Sequence, residues 1–227
     1  MRKLKLMFVH VPKTGGTSIT KAMKMCFGEK LYHDHDGPGN PASPMNMDPD
    51  GFLYRHHNSD YKFLHQKEAV TGHIWIRKYD PIATEIRATI LRHPIERAIS
   101  HYFFWRSPAI KYKHPVRTYM LNMKLDFFQF AQMPTMRWFY SRYLFRNTDM
   151  TTFDFIGDYR ALKTDWESVI HRLGLRSQRL RINQTKSYSS DYPVQYSNIV
   201  NNPLEMNALR EVFADDIAFY ERWTGRS

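Results

Sequence analysis

The chain of 227 residues has one cysteine, Cys26, so no disulfide can form within it and nothing in its composition points to an oxidising compartment. Long apolar runs are missing too. The first apolar stretch, around Phe8 and Val9, is halted by Pro12 and Lys13. It is far short of the ~18 residues of a membrane span and too short for a signal-peptide core. These absences lead us to expect a soluble, cytoplasmic protein with no transmembrane segment, leaving room for an anchor upstream of this sequence. Acidic residues are scarce: 22 Asp+Glu face 33 Lys+Arg, a formal net charge of +11. With 42% hydrophobic and 15% aromatic residues the chain is no disordered basic tail. Its length suits a single domain, 1–227, that buries about two thirds of its unfolded surface. The surplus charge on a folded surface calls for a polyanionic partner: nucleic acid, anionic lipid, a sulfated or phosphorylated glycan, or a nucleotide with several phosphates.

What is present begins with Leu4 to His10, a compact apolar run that breaks into Pro12-Lys13-Thr14-Gly15-Gly16-Thr17-Ser18. Beyond it Ile19, Ala22, Met23, Cys26 and Phe27 recur at helical spacing, which predicts a helix capped by Thr17 or Ser18. Between His33 and Gly51 lie four prolines and three glycines. They sustain neither period, so 33–51 is expected to be a mobile loop or insertion. Short strands are predicted at Ala69 to His73, Ala88 to Leu91, Phe153 to Ile156 and Leu180 to Ile182. Helices are predicted from Pro94 through Trp105, and over Asp126 to Gln132, Thr135 to Phe145, Tyr159 to Leu173 and Leu204 to Trp223. This alternation predicts an α/β fold with a central, mostly parallel sheet flanked by helices. Ligands of such sheets bind beyond the carboxyl ends of the strands. The glycine loop, His73 and Arg92 each follow a predicted strand and are expected to converge on one edge.

Lys13 to Ser18 carries the parts of a phosphate cradle: glycines that turn backbone N–H groups inward, a helix amino end, hydroxyls and a lysine. It is not a Walker A loop, because its lysine precedes the glycines and the first glycine of that motif is missing. The plain alternative is a glycine turn between strand and helix. In Leu91-Arg92-His93-Pro94-Ile95-Glu96-Arg97-Ala98-Ile99-Ser100, Arg92 leaves a strand end and Ser100 lies about two turns into the helix. An arginine fork and a hydroxyl suit a phosphate monoester. The plain alternative here pairs Arg92 with Glu96 and buries Ser100 as a small residue. His33-Asp34-His35-Asp36, with His56, His57 and His65, lacks tetrahedral ligand spacing, and no metal site is assigned. Phe103-Phe104-Trp105 and Trp138-Phe139-Tyr140 read first as core, the alternative being that one aromatic stacks on an adenine.

Val11 to Ser18 resembles the 5'-phosphosulfate loop of sulfotransferases that use 3'-phosphoadenosine 5'-phosphosulfate (PAPS). Arg92 to Arg97 with Ser100 resembles their 3'-phosphate motif, and the branch most similar is that of the heparan sulfate 2-O-sulfotransferases. His93 stands where that branch usually has aspartate. Phe155-Ile156-Gly157 and Ile182-Asn183-Gln184-Thr185-Lys186 are similar to later family segments, the second to a loop that covers the cofactor. The resemblance implies the P-loop NTPase-like three-layer fold, PAPS as sulfonate donor and 3',5'-ADP as product, with no metal required. It implies a cofactor site of Lys13, Thr14, Gly15, Gly16, Thr17, Ser18, Arg92, Ser100 and Lys186.

In-line attack by a hydroxyl on sulfur moves charge onto the bridging oxygen of the leaving 5'-phosphate, where Lys13 would stabilise it. The candidate base is His73, whose ordinary pKa near 6.5 leaves most imidazole neutral at pH 7. A histidine after the second strand has this role in the resembled branch, which often has two in a His-Gly-His pattern. Thr71 replaces the first here. The plain alternative is a structural strand-end histidine. The implied acceptor bears a hydroxyl and is expected first as a glycan or glycolipid, with a peptide tyrosine or a metabolite as alternatives and no specific nucleic acid as partner; the oligomeric state carries no signal. Two other readings compete: a P-loop nucleotide kinase, and a non-catalytic basic module that binds polyanions.

Overall fold

The computed structural model describes residues 3–34, 64–111, 114–176 and 192–226. The chain folds into two compact units, Met1–Leu91 with Leu144–Ile182, and Arg92–Tyr143 with Asn183–Ser227. No helix among the described residues is long and apolar enough to cross a membrane.

The first unit is built on a parallel sheet of β1 (Leu4–Val9), β2 (Leu31–Asp34), β3 (Ala69–Gly72), β4 (Thr84–Leu91) and β5 (Phe155–Asp158). The strand order is β2-β3-β1-β4-β5, and every pairing is parallel. Strands buried on both faces read as continuous apolar runs, which is why Leu4 to Val9 shows no alternation. Helices α1 (Gly16–Phe27) and α2 (Leu162–Arg172) cover one face. Ile19, Ala22, Met23 and Phe27 of α1 meet Leu162, Trp166, Val169 and Ile170 of α2 over Leu6, Phe8, Ala88 and Ile90. Trp166 is fully buried and stands edge-on to Phe8, with ring centroids 6.1 Å apart. Each such large apolar side chain contributes about 1.5–3 kcal/mol by leaving water.

The second unit is helical. Its helices are α3 (Pro94–Arg106), α4 (Pro115–Asn122), α5 (Phe127–Ala131), α6 (Pro134–Arg137), α7 (Tyr192–Val200), α8 (Pro203–Val212) and α9 (Ala214–Thr224). Ile95, Ile99, Phe103 and Trp105 of α3 pack with Phe130, Met136, Leu209 and Phe213. Phe103 and Trp105 therefore belong to a core, as do the buried Phe139 and Tyr140.

Several elements differ from the sequence expectations. The residue capping α1 is Gly15, with φ 79, and neither Thr17 nor Ser18, which already lie in the first turn. The turn out of β1 needs a left-handed residue, and glycine adopts it without a Cβ penalty. His33 and Asp34 belong to β2 and not to a loop. Asp34 is buried and accepts from Lys78 Nζ at 3.0 Å and from the Tyr79 hydroxyl. Residues 35–51 and the strand expected at Leu180 to Ile182 lie outside the described residues. The strand expected at Phe153 to Ile156 runs instead from Phe155 to Asp158. The long helix expected over Leu204 to Trp223 breaks at Phe213, which is drawn into the core between α8 and α9. The helix expected over Thr135 to Phe145 becomes α6 followed by a π-helical turn, Phe139–Leu144.

Gly72 holds β2 and β3 close: a Cβ there would lie 2.2 Å from the backbone oxygen of Asp34. Backbone cannot swing aside as a flexible side chain does. Gly72→Ala is expected to lower stability by about 1–3 kcal/mol in urea denaturation; an unchanged midpoint would show β2 free to shift.

Candidate active site

The carboxyl ends of β1 and β3 are level, with Val9 opposite Gly72, and Val9 faces Thr89 on the other side, where β4 runs on two residues to Leu91. The glycine loop leaves β1 at this edge. Lys13 takes φ 70, a left-handed conformation that costs a non-glycine residue about 1–3 kcal/mol. Thr14 is buried, and its hydroxyl donates to Val11 O at 2.9 Å, so its proton is committed to the loop itself. Gly15 is required by its left-handed φ of 79, and Gly16 by the His10 ring against it. A Cβ on Gly15 would come within 2.5 Å of Leu162 Cδ2, and one on Gly16 within 1.8 Å of His10 Cδ2. No side chain caps α1, and its first turn holds no acid. The Ser18 N–H is spent on Gly15 O at 2.9 Å, while the N–H groups ahead of it precede the helical ladder and present a partial positive charge, which fits an oxyanion at Gly15 to Thr17. Thr17 is exposed there and Ser18 buried.

His73 follows β3 directly, and its Nδ1 lies 2.6 Å from the carbonyl oxygen of His10. A carbonyl only accepts, so Nδ1 carries the proton and Nε2 is the basic nitrogen. The two imidazoles lie face against face at a tilt, with centroids 4.2 Å apart and planes at 38°. Surrounding protein lowers the pKa of His73; the bond to His10 opposes this, and His33 adds to it. The ring still meets solvent, so protein crowds it without sealing it off. His10 is held well below the ordinary 6.5, first by burial and then by His73, His33 and Lys13. The folded chain therefore sheds protons that the unfolded chain keeps below about 6.5. Stability from this corner is complete above that pH and is lost as pH falls through the depressed values. Thr71, opposite His33 in the register, is fully buried, with a hydroxyl that finds no hydrogen-bond partner among the described residues.

In the second unit, Arg92 is the first residue after β4 and is largely buried. Its N–H donates to the Tyr140 hydroxyl at 3.2 Å, and that hydroxyl donates to Arg92 O at 2.7 Å. Tyr140 is held in turn by Asp216, whose Oδ2 accepts the Tyr140 N–H at 2.8 Å. The other carboxylate oxygen accepts the Ser141 N–H at 2.9 Å and the Ser141 hydroxyl at 2.7 Å. Burial pushes the Tyr140 phenol far up, which keeps it a neutral donor. Burial also raises Asp216, opposed by its bonds to Tyr140 and Ser141 and by Arg97. Arg92 Nε contacts Glu96 Oε2 at 3.4 Å, so the pairing of the plain alternative exists. It is longer than the ~2.7–2.9 Å of a strong charge-assisted bond. Ser100 is buried. Arg97, fully buried, lies over the Phe139 ring at 3.9 Å and donates to Met136 O at 3.3 Å. His93 precedes α3 with its ring edge-on to Tyr220.

Lys186, His35, Asp36, His56 and His57 lie outside the described residues. Among the described residues no group of three or more His, Cys, Asp or Glu is placed to hold a metal ion. His10 and Asp216 were not singled out in the sequence, and Tyr140 was read there only as a core aromatic. His10 carried a usable signal, since it directly precedes the glycine loop at a strand's carboxyl end; Asp216 carried none. Tyr140→Phe leaves the buried Arg92 N–H and C=O without this partner. Urea denaturation is expected to show a loss of about 1–3 kcal/mol; wild-type stability would remove the brace.

The pattern of the sulfotransferase family matches residues 1–221. No curated protein matches the sequence significantly. Among solved structures, a sulfotransferase from Alicyclobacillus acidocaldarius is similar over 100% of this chain and 98% of that one, at 14% identity and a TM-score of 0.50. Mouse sulfotransferase SULT7A1, solved with PAP, aligns over 95% of this chain and 85% of that one, at 11% identity and a TM-score of 0.45. The first likeness speaks for the fold alone, and the second is too low to add to it. The family pattern runs through both the glycine loop and the Arg92 to Ser100 segment, and the chain belongs to the sulfotransferase family.

Proposed function

We propose that the protein transfers a sulfonate from PAPS to a hydroxyl of a carbohydrate acceptor, a glycan or glycolipid, with His73 as general base. The observation that carries the reading is the commitment of His73 Nδ1 to the His10 carbonyl, which leaves Nε2 as the proton acceptor at a strand end next to the glycine loop. PAPS supplies the sulfonate: the acceptor oxygen bonds to sulfur as the bond from sulfur to the 5'-phosphate oxygen breaks, giving a sulfate ester and 3',5'-ADP. Nε2 of His73 takes the hydroxyl proton. Lys13 and the uncapped amino end of α1 stabilise the charge that builds on the leaving oxygen, with Gly15, Gly16, Thr17 and Ser18 lining the phosphate and Thr14 bracing the loop. Arg92 and Ser100 read the 3'-phosphate, which sets PAPS apart from ATP, and Lys186 belongs to the segment that closes over the cofactor.

On this reading residues 1–227 form one catalytic domain working in the cytoplasm, where the single cysteine stays reduced. The net charge of +11 suits an anionic donor and an anionic acceptor together.

Thermal shift assays test the cofactor: 3',5'-ADP is expected to stabilise the protein well beyond 5'-AMP or ATP. Arg92→Ala is expected to abolish that difference. Equal shifts with ATP would point back to a nucleotide kinase, and salt-sensitive DNA binding without nucleotide preference to a polyanion-binding module. In a transfer assay over a panel of acceptors, His73→Ala should cut kcat at least ~10²-fold with 3',5'-ADP binding kept; retained turnover removes His73 from the mechanism.

A further inference from the structure

The base role of His73 asks for a carbonyl beside Nδ1, and any residue at position 10 would supply one. The imidazole of His10 is nevertheless held in place from several directions. Its backbone N–H donates to Gly72 O at 2.8 Å, which extends the β1–β3 ladder one residue past β1. Its carbonyl accepts from His73 at 2.6 Å. Its ring lies 4.2 Å from the His73 ring and rests against Gly16, where a Cβ would come within 2.1 Å of Nε2. The ring thus fills the space between the phosphate loop and the base.

We propose that His10 is a positioning residue for His73: its ring covers one face of the base and its carbonyl selects the proton-bearing nitrogen, so that Nε2 stays aimed and basic. The proposal deepens the reading of His73 as general base and rests on it. A bond at Nδ1 alone leaves the imidazole free to rock about that bond. A second ring against its face removes the freedom, and reactive groups misplaced by about 1 Å lose ~10² in rate. His10 suits the task because it stays neutral. The groups that face it from the neighbouring elements are His73 after β3, His33 on β2 and Lys13 in the loop, all of them cationic or able to become so. A proton taken up during transfer therefore settles on His73, whose Nδ1–H bond stabilises the imidazolium, and that charge then repels any second proton from His10.

The test follows His73 directly by NMR on histidine-labelled protein, beside turnover. In the wild type, His73 is expected as the Nδ1–H tautomer, with His10 titrating below it and sensing its transition. His10→Ala is expected to uncover His73, raise its pKa toward 6.5 and lower kcat about tenfold, moving the acid limb of kcat/KM to higher pH. His10→Phe keeps a ring without an ionisation and is expected to restore most of both. A His73 titration unmoved in His10→Ala overturns the proposal whatever the turnover, and so does a Phe variant no better than Ala. A moved titration with full turnover supports the coupling of the two rings and overturns instead the base role of His73. Should neither variant fold, an Nε2–H tautomer in the wild type is by itself sufficient to overturn the assignment.

Discussion

The parallel register of three strands at their carboxyl ends is the constraint on which the first unit depends. Val9 faces Gly72 across one ladder and Thr89 across the other, and the Thr89 hydroxyl donates to Val9 O at 3.0 Å. A slip of one residue would turn every side chain to the opposite face. It would also part His10 from Gly72 and His73. The glycine loop, the imidazole pair and the start of α1 inherit their positions from this register, and Gly72 allows β2 to close against it.

The same edge reconciles two electrostatic demands that oppose each other. On the proposed reading, an anionic donor and acceptor need positive potential, whereas a general base must be neutral before it acts. Lys13 and the α1 amino end provide the first. The second comes first from burial, and then from the nearby histidines, which together make a proton on His10 or His73 unfavourable. In the second unit the burden falls on geometry: Asp216 fixes the Tyr140 backbone, and the Tyr140 hydroxyl fixes that of Arg92. Arg97 shows the cost of burying a cation, lowered in pKa and partnered by an aromatic face and one carbonyl.

Much of this was legible from residue order. The loop from Lys13 to Ser18 and the segment from Arg92 to Ser100 are contiguous, and each carries its chemistry within a few residues of chain. β1 and β3 were readable because their apolar runs end in the glycine loop and in His73. β2 was not, since its pairing with β3 joins residues 38 apart, Leu31 with Ala69, while composition beyond His33 speaks only of loop. The break at Phe213 was hidden because its local pattern continues a helix, and the packing of a buried ring decides otherwise.

By itself, the sequence determined the α/β class, membership of the sulfotransferase family and the two motifs, because these rest on local periodicity and on residues close together in the chain. Tertiary structure alone decided that His10 and not residue 71 partners His73, that Thr14 is spent on its own loop, and that Asp216 braces Tyr140. For His10 and Asp216 the deciding contact is set by strand register or by packing between distant elements, and for Thr14, whose hydroxyl donates to Val11 O, by the local turn of the loop. The pairings concerned, 63 residues apart for His10 and His73 and 76 apart for Tyr140 and Asp216, are not written in local sequence.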